Sequence, residues 1–328
     1  MQFGQLKRRE VIAILSGAGV VLPLAAWTQE AGRTYHIGVM TRSPRMAANY
    51  GAFFDELRRL GFVEGQNLAV DARGFAARSE QFPELARALV SSGVDALVCG
   101  GDAAIRAAQH ATQTIPIVGI TDDMVGSGLV RSLSKPGGNT TGVSIFATEL
   151  DGKRMEILIE LMPDARRMAA LADVSATSPS QLEALQDAAR ARGIDLSIHR
   201  IGKSEEVVGA IEMAKRAGAA SLNVLATPLL NAARQIIIER ASALRLPAIY
   251  QWPETVKEGG LAAYGPSFAQ VGRQNAEQLT KVLRGVQPAD LPVQQPTKFE
   301  LIINLKAAKA IGLTVPPTLL ARADEVIE

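Results

Sequence analysis

The chain has 328 residues, 47% hydrophobic and 21% charged, which excludes an intrinsically disordered protein and suits one large α/β domain or two lobes with separate cores. Lys and Arg number 35 against 33 Asp and Glu, and setting aside a first segment that holds Lys7, Arg8, Arg9 and Glu10 leaves 32 of each sign. A neutral body without clustered Lys and Arg has no footprint for nucleic acid, whose affinity is largely counterion release.

Residues 1–28 read as a signal peptide: a basic start at Lys7-Arg8-Arg9, an apolar run from Val11 to Ala26, then small residues before Gln29. The run is interrupted by Ser16, Gly17, Gly19 and Pro23, and a membrane span needs about 20 apolar residues, although an uncleaved anchor is the alternative. Arg8-Arg9 ahead of Glu10-Val11-Ile12 fits a twin-arginine signal, and a general secretory signal fits equally. Either route predicts a periplasmic protein. The single cysteine, Cys99, lies too far along the chain to carry a lipid anchor at the mature N-terminus; it excludes an internal disulfide and a Cys-rich metal site, and its apolar surroundings predict a small buried hydrophobe.

Beyond the leader, short β-branched or apolar runs alternate with helical stretches, the pattern of βαβ units around a parallel sheet. Strands are predicted at Tyr35 to Met40, Asn67 to Ala72, Val94 to Cys99, Pro116 to Ile120, Arg167 to Ala172, Asp195 to Arg200, Ser221 to Leu225 and Pro247 to Tyr250. Between them Phe53, Leu57 and Leu60, then Phe82, Leu85 and Leu89, and later Phe268, Val271, Leu279 and Val282 recur at helical spacing and are read as core stripes.

Two distant stretches share one layout. The first runs strand, helix, Ile115-Pro116-Ile117, loop, then Gly137-Gly138 leading to Gly142-Val143-Ser144; the second runs strand, helix, Leu246-Pro247-Ala248, loop, then Gly259-Gly260 leading to Gly265-Pro266-Ser267. The echo predicts an α/β protein of two Rossmann-like doubly wound lobes joined by crossover strands, with a cleft between the carboxyl ends of the two sheets.

Motifs for phosphate, dinucleotide, metal or nucleophilic chemistry fail on inspection. Gly202-Lys203-Ser204 has Ser197 where a P-loop needs glycine, and Gly126-Ser127-Gly128 has Arg131 where a dinucleotide fingerprint needs its third glycine. There is no GxSxG and no HExxH, and His36, His110 and His199 are scattered, so no catalytic residue, metal site or cofactor is predicted.

Five segments carry a family resemblance: "KRREVIAIL" at the start, "LRRLGFVEGQNLAVDAR", "SLSKPGGNTTG", "LRLPAIYQWPETVKEGGLAAYG" and the tail "PADLPVQQPTKFELIINLKAAKAIGLTVPPTLLARADEVIE". In this order they resemble bacterial ABC-transporter substrate-binding proteins over essentially the whole chain. The resemblance implies a type I periplasmic-binding fold related to aromatic amino acid binding proteins, with one lobe from 33–143 plus about 266–295, a second from 144–265, and a C-terminal crossover segment, 296–328, assigned to neither. In one place the chain departs from the family: a loop that usually reads Asp-Pro-Val is Asp123-Met124-Val125 here, which removes proline's fixed φ.

Carboxyl-end loops of the first lobe would present Thr41, Arg42 and Ser43, then Gly100, Gly101 and Asp102, then Thr121, Asp122 and Asp123. Those of the second would present Asp173 and Ser175, Thr227, and Gln251 and Trp252, with Ser144 and Tyr264 on or beside the crossovers. Arg42 is the candidate for a ligand carboxylate, with a solvated surface arginine as the alternative. Gly100-Gly101 ahead of a helix would suit an anion at its N-terminus, and Asp102 is equally that helix's cap. Trp252 and Tyr264 offer aromatic faces. Asp122 or Asp123 would hold an ammonium group, pointing to an amino acid; without one, an aromatic or organic acid fits.

The expectation is an extracytoplasmic, monomeric solute-binding protein that captures a small organic ligand and hands it to an ABC permease, without catalysis. A ligand sensor for a membrane receptor would have the same fold. A periplasmic enzyme using Asp122 or Asp123 would need a second positioned polar group that the sequence does not supply.

Overall fold

The computed structural model describes residues 32–145 and 147–328; residues 1–28, expected to be a signal peptide, lie outside the described residues. The first sheet is built from β1 (Tyr35–Met40), β2 (Leu68–Gly74), β3 (Ala96–Gly100), β4 (Ile117–Thr121) and β5 (Thr140–Ser144), interleaved with α1 (Ala48–Arg59), α2 (Phe82–Ser91) and α3 (Asp102–Ala111). All its strands are parallel, in the order β2-β1-β3-β4-β5. Side chains alternate across a strand, so β3 sends Leu97 and Cys99 to one face, against Leu89 of α2 and Ile105 of α3. It sends Ala96 and Val98 to the other, against Phe53 and Leu57 of α1. Cys99 is buried, as its neighbours predict, and burial pushes its thiol up from the usual range.

The chain then enters α4 (Ala147–Leu161), β6 (Arg167–Asp173), α5 (Pro179–Ala191), β7 (Asp195–Ile201), α6 (Val207–Arg216), β8 (Leu222–Val224), α7 (Pro228–Ala232), α8 (Arg234–Ala243), β9 (Ala248–Tyr250), α9 (Pro253–Lys257) and β10 (Ala262–Gly265). Strands β6 to β10 assemble in the order β7-β6-β8-β9-β10, which repeats the first sheet strand for strand, as the sequence echo anticipates. The eight predicted strands form within two residues of their predicted ends. From β10 the chain runs into α10 (Phe268–Leu283), whose Ala276 and Leu279 join Phe53 and Leu57 in the core of the first lobe. It returns past β5, where Gln294 bridges Val143. It ends in β11 (Glu300–Asn304), α11 (Leu305–Ala310), α12 (Pro317–Leu320) and β12 (Glu325–Ile327). The tail strands, absent from the sequence expectation, extend the second sheet: β11 pairs antiparallel with β10, and β12 parallel with β11.

Two of the echoed glycines, Gly142 and Gly265, share one physical cause. A Cβ on Gly142 would stand 1.9 Å from the Gly119 carbonyl oxygen, and one on Gly265 would stand 2.1 Å from that of Gln251. Each glycine lets a crossover strand lie against the strand beside it, where any side chain would force the sheet apart. Gly272 does the same for helices: a Cβ there would lie 2.2 Å from the Asn49 carbonyl, so α10 sits directly on the start of α1. Among the described residues no helix is long and apolar enough to cross a membrane.

Candidate functional site

The strand orders place both topological switch points, β1/β3 and β6/β8, at carboxyl ends that face one cleft, where open α/β sheets bind ligands. After β1 the chain supplies Thr41 and Ser43, held by a hydrogen bond in which Ser43 N donates to Thr41 Oγ1 at 3.1 Å. The start of α1 adds Asn49 and Tyr50; burial raises the Tyr50 phenol even though its hydroxyl bonds with Thr41. Gly100 and Gly101 follow β3. A Cβ on Gly100 would crowd Thr41 Oγ1 at 2.8 Å, and Gly101 has a φ of +88°, where a side chain is strained. Ile120, Thr121 and Asp122 complete this wall from the end of β4.

The second lobe answers with Thr227, Pro228 and Asn231, then Gln251 and Trp252. Thr227 caps α7 by accepting from Leu230 N at 3.2 Å, and Pro228 opens the helix, where its missing N–H costs nothing. Trp252 precedes Pro253, which keeps its backbone extended at φ −96°, ψ 123°. Its ring stacks on Phe268, with centroids 4.1 Å apart and planes 21° apart. Ile145, Phe268 and Val271 close the hinge side around about 620 Å³ of empty space, its mouth included.

Asp122 is the electrostatic centre of this cleft. No hydrogen bond or ion pair reaches its carboxyl among the described residues, and burial drives its pKa well above the usual carboxylate value. The neighbouring Asp102, Asp151 and Asp173 push the same way, against a single opposing charge, Arg154. Arg154 is itself fully buried and committed elsewhere: it pairs with Asp151 and donates to the Tyr264 carbonyl at 3.1 Å, while Gln181 donates to the other Asp151 oxygen at 2.6 Å. A cation entering the cleft would therefore meet a carboxyl with no competing partner.

The facing wall has neutral groups that are equally unmatched. Gln251 Nε2 and Asn231 Oδ1 are buried with no hydrogen-bond partner. Both residues line the main cleft and also a smaller chamber of about 240 Å³ that opens beside Trp252.

Of the residues expected from sequence, Thr41, Ser43, Gly100, Gly101, Thr121, Asp122, Thr227, Gln251 and Trp252 line the cleft together. The others do not, each for a local reason. Arg42 lies between Thr41 and Ser43 just past the end of β1 and is not among the residues that line the cleft. Asp102 accepts from the Thr121 hydroxyl. Asp123 accepts from Val125 N at 3.1 Å and Gly126 N at 2.8 Å, and so caps its own loop. Asp173 accepts from Ser175 N at 2.8 Å and Ser175 Oγ at 2.7 Å, which ties both into one turn. Ser144 accepts from Met124 N at 3.2 Å, and Tyr264 leans on Phe299 in a separate hollow behind the crossovers.

An anion at the start of α3 would face the carboxyls of Asp102 and Asp122, which argues against that part of the expectation. Phe268 and Val271, read as core, line the cleft, as do Asn49, Tyr50, Ile120, Ile145, Pro228 and Asn231, which the sequence reading missed. Met124, the residue at which the sequence resemblance implies proline, is fully buried among Ile105, Ile117 and Leu129.

Two matching α/β lobes meeting over this cleft have the type I periplasmic-binding architecture. Residues 36–327 match the family described as ABC transporter substrate binding protein, and the chain belongs to it. A tyrosine-binding protein of Clostridioides difficile is 28% identical over 283 residues, 84% of this chain and 80% of that one. A conserved domain protein from Vibrio cholerae superposes with a TM-score of 0.83 at 28% identity, covering 90% of this chain and 99% of that one. A Streptococcus pneumonia ABC domain in complex with L-Trp superposes at 0.81 with 24% identity, over 90% and 100% of the two chains. The ligand-free, open structure of a Clostridium difficile substrate-binding protein with adhesive properties reaches only 0.64, at 26% identity over 90% and 99%. That smaller overlap fits a chain whose lobes touch: a Cβ on Gly101 of the first lobe would come within 2.9 Å of Pro228 of the second.

Proposed function

We propose that the protein captures an α-amino acid with an aromatic side chain between its lobes, outside the cytoplasm, and presents the closed form as a monomer to an ABC permease. The observation that carries this reading is Asp122, a half-buried carboxyl at the cleft with no hydrogen bond or ion pair among the described residues, its pKa raised by desolvation and by Asp102, Asp151 and Asp173. An ammonium group would supply the missing charge, and an unpaired carboxylate is costly to desolvate, so such a ligand would favour closure around it. Ser43, Asn49 and Thr227 offer neutral donors for the ligand carboxylate in place of Arg42, and Trp252 with Phe268 offers an aromatic face. The curated tyrosine-binding relative and the L-Trp complex of the fold neighbour support a ligand of this class.

The lobes are taken as 33–143 with about 266–295, and 144–265 with the tail strands. Ligand contacts to both would favour the closed state over the open one. Catalysis is not part of the proposal, because the Asp122 carboxyl has no hydrogen-bonded group to orient it as a base. Calorimetric titration tests the reading directly: L-Tyr, L-Trp or L-Phe should bind about 100-fold or more tightly than its deaminated 3-arylpropionate, the range for losing one partner of a buried charge pair. Equal affinity for the amino acid and its deaminated form would refute it.

A further inference from the structure

Two charged side chains outside the cleft connect it to the hinge. Asp151 and Arg154 stand one turn apart near the start of α4, the helix that the chain enters on leaving β5, and both are fully buried, at 0% exposure. They form an ion pair. Taking two charges out of water is costly, and apolar residues of similar volume often serve a core as well or better. The pair is therefore better explained by what it holds than by the stability of the lobe.

Its contacts run in two directions. Arg154 Nη1 donates to the Tyr264 carbonyl at 3.1 Å, beside Gly265, from which the chain crosses back toward α10. The Asp151 carboxylate accepts from Gln181 Nε2 of α5 at 2.6 Å and is approached by the Ala226 amide, while its main-chain carbonyl accepts from Asn223 Nδ2 of β8 at 3.0 Å. Asn223 and Ala226 lead directly into Thr227 and Pro228, which line the cleft, and Pro228 is the residue that meets Gly101 of the first lobe. Neither member of the pair lines the cleft, yet the charges of both act on Asp122 across it.

We infer that Asp151 and Arg154 are positioning residues that fasten the cleft turn at 226–228 to both of the crossings around α4 and β10, so that turn and crossings move as one piece when the lobes close. The first crossing arrives through α4 itself and the second through the Tyr264 carbonyl. Closure then carries Pro228 onto Gly101 in one fixed alignment, and a contact made at Thr227 bears on the hinge instead of being absorbed by motion of the turn. The coupling does not depend on which solute is held.

Hydrogen exchange of the unliganded protein, read by mass spectrometry, tests the inference without a ligand, so failure of the amino-acid reading would leave it intact. Asp151→Leu combined with Arg154→Met replaces the pair by apolar side chains. The thermal midpoint should stay at or above the wild-type value. Segments 225–231 and 262–267 should exchange about 10-fold or more faster, while β6 in the same sheet is unchanged. Arg154→Lys keeps a charge for Asp151 but loses the fork that also reaches Tyr264; it should loosen 262–267 and leave 225–231 protected.

Protection lost evenly across the sheet together with a lower midpoint would mean that the pair serves the core alone, and overturns the inference. Unchanged exchange in both segments of a double variant that melts like the wild type does the same. An Arg154→Lys protein in which both segments loosen equally, or neither does, also overturns it, whether or not the double variant folds.

Discussion

The two walls of the cleft are built from the same strand order, yet they leave different things undone. On the first lobe the unmatched group is a charge, the Asp122 carboxyl; on the second it is a pair of neutral amide atoms, on Asn231 and Gln251. Asp122 follows β4, and after its counterpart β9 the second lobe has Gln251; the second lobe's nearest carboxyl at a strand end, Asp173 of β6, is occupied by the Ser175 amide and hydroxyl. A doubly wound sheet fixes where a side chain stands, and local hydrogen bonding decides whether it is free to meet a ligand. The duplicated layout thus sets two different chemistries on the two walls of one cleft.

The sharpest way to break that asymmetry is Asp122→Asn. Affinity for the amino acid should fall by about 100-fold or more, because truncating one partner of a buried charge pair costs on the order of 3 kcal/mol. Thermal unfolding of the unliganded protein should move upward, since an uncompensated carboxyl has been removed; a lower midpoint would argue that Asp122 is paired.

Next comes Gly101→Val, which places a side chain against Pro228 and strains a left-handed residue. It should reduce affinity by about 10-fold, reflecting a penalty of 1–3 kcal/mol that falls mainly on the closed state, and enlarge the radius of gyration of the liganded protein in X-ray scattering.

A smaller effect should follow pH. The closed cleft raises the pKa of Asp122, so closure takes up a proton: acid favours the closed empty protein, and the preference is lost as pH rises through the closed-state value. Asp102, Asp151, Asp173 and Arg154 face this carboxyl and set its surroundings. Scattering from unliganded protein should show a more compact particle near about pH 5 than at pH 7, approaching the usual carboxylate range, and Asp122→Asn should remove the difference. Smallest of all is Arg42→Ala, for which titration should give less than about a 2-fold change in affinity, because the side chain does not line the cleft.

Periodicity and punctuation made the strands legible, and the repeat of glycine-led segments made the paired sheets legible too. The tail strands were not, because Glu300–Asn304 and Glu325–Ile327 are short and pair only once the rest of the sheet exists. At the site, position after a strand identified the right loops. It did not distinguish Asp122 from Asp123, since which adjacent side chain turns back to cap its loop is a matter of a few backbone angles. Phe268 looked like core because it continues the apolar stripe of α10, and only the crossing of the chain turns its first residue toward the cleft. Asn231 carries no periodic signal; its place three residues after Pro228 in a capped turn is the one clue that could have marked it.

Methionine at position 124 gives the chain a tether that a proline could not. Its amide donates to Ser144 Oγ on β5, the strand by which the backbone leaves the first lobe, and that same hydroxyl lies 3.5 Å from the Asp122 carbonyl oxygen. The residue proposed to receive the guest is therefore strapped through its backbone to the strand at the pivot, so a swing of one half would tug on the segment that carries it.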